Sequence, residues 1–307
     1  MKRRDLMLAL LVVIVWGANF TVIKLGLSGI PPLLLVALRY VFAVFPAIFF
    51  VKKPSVRWKY IVIYGIAVGV GQFSCLFYAM DIGMPAGISS IVLQSQAFLT
   101  PLFAAILLKE SITSSQITGL IIAGIGLCLI GGTIGDSGLS TIPFGAFLLT
   151  LLAASFWAIS NIILRYAKND TEAQGEKIDM MGLVVWSSLI PPIPLLGIAL
   201  LLDSPETLLN SFSNISFISV FSVLYLALCA TLLGYGVWSD LIGKYPAAKV
   251  APLSLLVPIT GLITSQVVLG ERLTKIQWLG GAIIILGLLI TNFGFAPIKA
   301  IFKSKDV

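Results

Sequence analysis

Ten polar, amphipathic or ionisable side chains stand isolated within long apolar runs: Trp16, Asn19, Lys24, Arg39, Gln72, Tyr78, Gln94, Gln96, Lys249 and Ser254. In hydrocarbon an unsatisfied polar group costs several kcal/mol, so such residues belong against other protein or a water-filled cavity. The chemistry they offer is binding. Lys249, three residues after Pro246, brings an ammonium to the end of a span, where it can meet a substrate carboxylate or snorkel to the headgroups. Arg39, two turns inside its span, reads as a substrate contact or gate, or as a side chain snorkelling outward or paired with Asp81. Lys24, nearer its span end, reads as an anchor. Gln72 and Gln94 supply amides to a zwitterion or to a neighbouring helix, as do Asn19 and Ser254. Trp16 and Tyr78, with Phe73, suit either a cavity wall or interfacial packing. Residues two apart on a helix point about 200° from each other, so at most one of Gln94 and Gln96 is expected to face a cavity.

Bond-breaking chemistry lacks its usual residues. Histidine is absent, and Cys75, Cys128 and Cys229 all fall within apolar spans. Neither a disulfide nor a metal site is expected. There is no phosphate-cradling GxxxxGK loop, no cofactor is implied, and no cluster of nucleophiles or carboxylates supports a membrane-embedded enzyme. Glu110 and Glu271 invite a proton-coupling role. However, Thr113 with Gln116 and Thr274 with Gln277 have capping-box spacing, which puts both glutamates just before helix starts, solvated or paired with Lys109 and Arg272.

The elements that position these residues are helices in a bilayer. Of 307 residues, 58% are hydrophobic and 11% charged, against about 25% charged in a soluble domain. A mean hydropathy of +1.05 holds over the whole chain. Spans of about 20 apolar residues fit ten times, at 6–27, 33–51, 58–80, 85–108, 115–133, 143–165, 181–202, 216–239, 246–269 and 276–295. The basic start followed by an apolar run reads as a retained first helix, since no small-residue cleavage pattern follows. One set of alternate loops and ends holds Lys2, Arg3, Arg4, Lys52, Lys53, Arg57, Lys59, Lys109, Arg165, Lys168, Lys177, Lys244, Lys299, Lys303 and Lys305; the other set holds only Arg272 and Lys275. Positive charge stays inside, so both termini are expected in the cytoplasm. The net charge of +7 then reports orientation in a lipid bilayer, and nucleic acid is not an expected partner.

The chain also repeats. MPAGISSIVLQSQAFLTPLFAAILLKESITSSQITGL from Met84 lies over YPAAKVAPLSLLVPITGLITSQVVLGERLTKIQWLGG from Tyr245, pairing Pro85 with Pro246, Glu110 with Glu271, Thr113 with Thr274, Gly119 with Gly280 and Gly126 with Gly287. WGANFTVIK from Trp16 lies over WAISNIILR from Trp157, pairing Lys24 with Arg165. About 20 additional residues are expected in the second half, in the loops at 166–180 and 203–215. Five helices is an odd number, so the second copy enters the membrane in the opposite sense. The expected fold is all-α and integral to the membrane, with ten transmembrane helices as two inverted five-helix repeats, at 1–133 and 143–295, and a cytoplasmic tail at 296–307. Two bundles of opposite orientation can exchange conformations about a central site, the arrangement of an alternating-access transporter for a small molecule. Pro85, Pro101, Pro246, Pro252 and Pro258 crowd the fourth and ninth helices and are expected to kink them where they gate.

WGANFTVIKLGL with PPLLLVALRY, GMPAGISSIVLQSQAF, VAPLSLLVPITGL and the paired LKESIT and LGERLT hinges together resemble the EamA type of the drug/metabolite transporter superfamily, over essentially the full chain. The resemblance implies a secondary transporter of the bacterial inner membrane exporting small amino-acid metabolites such as cysteine and O-acetylserine. Other amino acids, purine-like metabolites or drugs are the alternative cargo. It also favours a basic residue near Lys249 as a contact for an anionic group; this chain has lysine where the pattern carries arginine, keeping charge but losing the planar fork.

Overall fold

The computed structural model describes residues 1–133 and 142–294, and the tail at 296–307, with Lys299, Lys303 and Lys305, lies outside them. Among the described residues ten helices are long and apolar enough to span a bilayer: α1 (Arg3–Leu27), α2 (Pro32–Phe49), α3 (Trp58–Asp81), α4 (Ala86–Leu108), α5 (Ser114–Gly131), α6 (Phe144–Glu172), α7 (Met180–Leu202), α8 (Phe217–Lys244), α9 (Pro252–Leu269, led in by Ala247–Ser254) and α10 (Lys275–Phe293). There is no strand among the described residues. Short connections return the chain across the bundle each time, so alternate ends share a face. The face that carries Arg3 is called the N-terminal face below.

Helix ends follow local chemistry. Thr113 and Gln116, and Thr274 and Gln277, form the two capping boxes that start α5 and α10, each satisfying amides that a helix start leaves free. The additional length of the second half goes partly into helix. α6 continues through 166–172, and a short helix, Pro205–Ser213, fills the α7–α8 connection behind a Ser204 cap.

The inverted repeat is visible in features that no composition shows. α4 is interrupted by a 3-10 turn at Leu93–Ser95, and α9 by a break at Leu255 and Leu256, the matching positions. α4 and α9 both end in a left-handed cap, at Lys109 (φ 55°) and Gly270 (φ 67°). α3 and α8, the third helices of the two halves, each contain a π-helical stretch, Ile66–Phe73 and Tyr225–Leu233. α5 and α10 pack through their glycines: a Cβ on Gly126 would come within 2.6 Å of the Gly280 carbonyl and one on Gly280 within 2.8 Å of the Gly126 carbonyl. Gly119 and Gly287 meet in the same reciprocal way, at 2.7 and 2.8 Å. Repeat mates thus contact each other's partners, as a two-fold axis lying in the membrane plane requires. Lipid is as apolar as leucine, so close backbone approach at small residues is what holds such helices together.

The prolines depart from expectation. Only Pro101 and Pro252 lie inside helices. Pro85 and Pro246 are N-cap residues and Pro258 sits in a first turn. They kink nothing there, because first-turn amides have no helical partner to lose. The helical ladders of α4 and α9 are interrupted at 93–95 and 255–256.

Candidate functional site

α2 carries Arg39 into the centre of the bundle, where it is 3% exposed. The π-helical stretches of both repeats hold it. From α3, the Phe73 ring lies 4.0 Å beneath the guanidinium; from α8, Thr231 Oγ1 accepts from Nε at 3.2 Å. Asn19 of α1 adds a long contact, Nη1 to Oδ1 at 3.5 Å. The Thr231 hydroxyl itself donates to Leu226 O, five residues back, the spacing that a π turn supplies. A wider turn pushes a residue out of the regular helical face, which is why such turns recur at functional sites.

Beside Arg39 lies a cavity of about 320 Å3, inside the range of about 300–1,000 Å3 usual for small-molecule sites. Trp16, Asn19, Arg39, Gln72, Gln94 and Ser254 line it, as does Phe73, so the structure brings together six of the eight residues singled out as substrate contacts. Gln72 is buried, and its Oε1 has no hydrogen-bond partner among the described residues. No aspartate or glutamate is among the lining residues. Arg39 has no salt bridge among the described residues; the four found involve Arg57, Arg165, Lys168 and Lys244. No metal-ligand cluster occurs among the described residues either.

Lys249 and Tyr78 are not in the lining. Val250 is buried against Ala9 and Leu241, which turns the neighbouring Lys249 outward, where it is exposed. Leu76 and Phe77 are fully buried, and Leu76 lines the cavity; Tyr78, two residues on, points away and is 39% exposed. Lys24 stays at its helix end, donating to Met80 O. Gln94 and Gln96 both reach the cavity, against the expectation of one. The 3-10 turn between them breaks the continuous helix that the 200° spacing assumes. Gln96 Oε1 accepts from Asn161 Nδ2 at 3.0 Å, and that nitrogen also reaches Thr100 Oγ1 at 3.2 Å, tying α4 to α6. Arg39 neither snorkels nor pairs with Asp81. The glutamates pair with neither Lys109 nor Arg272: Glu110 Oε2 holds Arg165 at 2.8 Å, and Glu271 accepts two backbone amides of α4.

Sequence reasoning missed Tyr64, Trp157, Asn161, Tyr235 and Trp238, which also line the cavity. A signal existed for Trp157, the repeat mate of Trp16. Trp16 packs on Tyr235 and Trp238 at centroid distances of 5.5 and 5.1 Å and donates from Nε1 to Ala230 O. These rings make a wall able to face a cation.

The lining has a direction. It reaches Ile242 and Met180, at helix ends on the N-terminal face, but stops at Leu76 and Ser90, short of the ends on the other face. There α4 closes on α9: a Cβ on Gly87 would lie 2.6 Å from Ser265 Oγ, and one on Gly261 2.6 Å from Ser90 Oγ. Ten spans around a largely apolar cavity that carries several polar side chains and reaches one face have the build of a membrane transporter. The chain belongs to the EamA-like transporter family, whose model matches twice, at residues 4–132 and 144–293. It is similar to two proteins each described as a probable amino-acid metabolite efflux pump: one from Salmonella typhimurium (45% identical, covering 96% of this chain and 97% of that protein) and one from Escherichia coli (43%, 98% and 99%). A solved crystal structure, 15% identical, superposes with a TM-score of 0.62 over 95% of this chain and 97% of that one, which shows the shared fold.

Proposed function

We propose that the chain exports small amino-acid metabolites, of the kind represented by cysteine and O-acetylserine, across the bacterial inner membrane as a secondary transporter. One observation carries this reading: a buried guanidinium, without a carboxylate partner among the described residues, faces a cavity whose lining contains no acid. A central arginine costs about 2.5–3.5 kcal/mol on insertion scales. A structural ion pair would place its counter-charge in the protein; here the α-carboxylate of the cargo supplies it, and the arginine fork suits a carboxylate. The Trp16, Tyr235 and Trp238 rings and the Gln94 and Gln72 amides receive the ammonium end. The names of the two efflux-pump relatives agree with a cargo of this class. Lys249, exposed at the helix end on the N-terminal face, offers a first contact for the carboxylate of cargo arriving from the cytoplasm.

Uptake of labelled cysteine and O-acetylserine into proteoliposomes, with and without a pH gradient, tests the cargo. Saturable uptake by the wild type, lost in Arg39→Ala, is the expected result. Absence of uptake of either compound by correctly inserted protein sinks this cargo, and competition by other amino acids, purines or drugs then identifies the alternative.

A further inference from the structure

Glu271, immediately after the left-handed cap of α9, accepts the Ala86 amide on Oε1 at 2.7 Å and the Gly87 amide on Oε2 at 2.9 Å. Its carboxylate thereby caps the start of α4 and ties α4 to α9 at the closed face. The repeat mate of Glu271 is Glu110, after the matching left-handed cap of α4. The mates of Ala86 and Gly87 are Ala247 and Ala248, which start the helix leading into α9. The two helix starts share one backbone geometry: Pro85 has φ −64°, ψ 142° and Pro246 has φ −53°, ψ 136°. Yet Glu110 is engaged elsewhere, with Arg165 of α6. Arg165 in turn is the repeat mate of Lys24, whose ammonium donates to the Met80 carbonyl close enough to Asp81 to act on its carboxylate. Every member of one arrangement therefore has a repeat mate of matching chemistry on the other face.

We propose that Glu271 and Glu110 are alternating latches that position the two faces of the cavity during transport. In the present state, open at the N-terminal face, Glu271 caps α4 and Glu110 rests on Arg165. When the cavity turns to the other face, Glu110 leaves Arg165 to accept the Ala247 and Ala248 amides, and Glu271 leaves α4 for Lys24. Each carboxylate exchanges one charge-assisted set of bonds for another, so neither state leaves an anion stranded at the membrane surface. The two states thus stay close in free energy, as a carrier that must return empty requires.

The exchange sets the sign of three substitutions. Glu271→Ala loses two charge-assisted amide bonds of the present state against one exposed ion pair of the opposite state, and Arg165→Ala loses an ion pair of the present state alone, so both favour opening to the other face. Glu110→Ala loses one exposed ion pair of the present state against two amide bonds of the opposite state and favours the present one. The test is electron–electron distance measurement on the full chain in nanodiscs, in a Cys75→Ala, Cys128→Ala, Cys229→Ala background. One spin-labelled pair, Ile82→Cys with Val268→Cys, reports the closed face; another, Leu107→Cys with Lys249→Cys, reports the open one. The first two variants are expected to lengthen the Ile82–Val268 distance and shorten the Leu107–Lys249 distance, and Glu110→Ala to do the reverse. The two glutamate variants are expected to shift the population ratio about tenfold, the effect of losing hydrogen bonds to a charged group, and Arg165→Ala about two- to threefold, that of an exposed ion pair. A merely structural role loosens the bundle without opposite signs. Variants that all shift in one direction, or folded variants that leave both distances unchanged, overturn the proposal. Should Glu271→Ala fail to insert, Arg165→Ala tests the same sign alone. No substrate is needed, so the result is independent of the cargo assignment.

Discussion

Arg39 is the residue on which recognition and stability pull in opposite directions. Its charge is buried with a threonine, a long asparagine contact and an aromatic face for company, and removing a poorly compensated buried charge costs little stability or even adds some. Arg39→Met is therefore expected to keep its melting temperature in detergent within about 5 °C of wild type, while losing transport by about 100-fold or more. Arg39→Lys keeps the charge but loses the fork, and about a tenfold loss is expected. A melting temperature that collapses along with activity would instead make Arg39 a structural residue. Lys249→Ala, outside the cavity, is expected to raise KM for the zwitterionic cargo by about two- to threefold and to leave the maximal rate near wild type. The isolation of Arg39 in an apolar run was legible from sequence, because hydrocarbon forbids such a residue without cause. Which side of its helix faces the cavity was not. Tyr78 and Lys249 are as isolated as Gln72 and Ser254, and only the rotation of each helix, set by neighbours such as Val250 against Leu241, separates them.

At the scale of elements, the legible features were those with local causes. Capping boxes at Thr113 and Thr274 depend on residues three apart and formed as expected. The π-helical stretches do not announce themselves, because they depend on contacts made across the bundle: Gly69 takes Pro191 of α7 against it, and Gly71 the Phe156 ring of α6, where a Cβ would lie 2.0 and 2.5 Å from those side chains. The same applies to Pro85 and Pro246, whose presence was visible but whose capping position depends on where the helix begins. Glycine substitutions separate packing from propensity. Gly126→Leu places a side chain where a Cβ already stands 2.6 Å from the Gly280 backbone, forcing α5 from α10, and a loss of about 3 kcal/mol or failure to insert is expected. Gly124, two residues away on α5, and Gly197 on α7 meet nothing within 4 Å, so Gly124→Ala and Gly197→Ala are expected to be neutral or to stabilise by up to about 1 kcal/mol. Thermal unfolding in detergent ranks the three, and equal losses at Gly124 and Gly126 would remove the α5–α10 seam as the reason for the glycines.

For the whole molecule, charge and cavity point to the same face, and they do so independently. The basic loops, from Lys52, Lys53 and Arg57 to Arg165, Lys168 and Lys177, lie on the N-terminal face, with Arg272 and Lys275 on the other. That distribution is fixed at insertion and predicts a cytoplasmic N-terminal face. The cavity opens there because α4 and α9 are closed at the opposite end, a matter of conformation and not of topology. An exporter needs both: loading from the cytoplasm in this state, release after the repeats exchange shapes. Ile242, which lines the cavity at its mouth and is 48% exposed, distinguishes the combinations. In a background lacking the three native cysteines, Ile242→Cys is expected to react with a membrane-impermeant maleimide in inside-out vesicles at least about tenfold faster than in right-side-out ones. Arg272→Cys is expected to show the reverse preference, and O-acetylserine is expected to slow labelling at 242 alone. Labelling of Ile242→Cys from the periplasmic side with Arg272→Cys unchanged would mean that the resting carrier faces outward. Reversal at both positions would mean that the chain inserts the other way round, and loading from the cytoplasm would then require the opposite conformation.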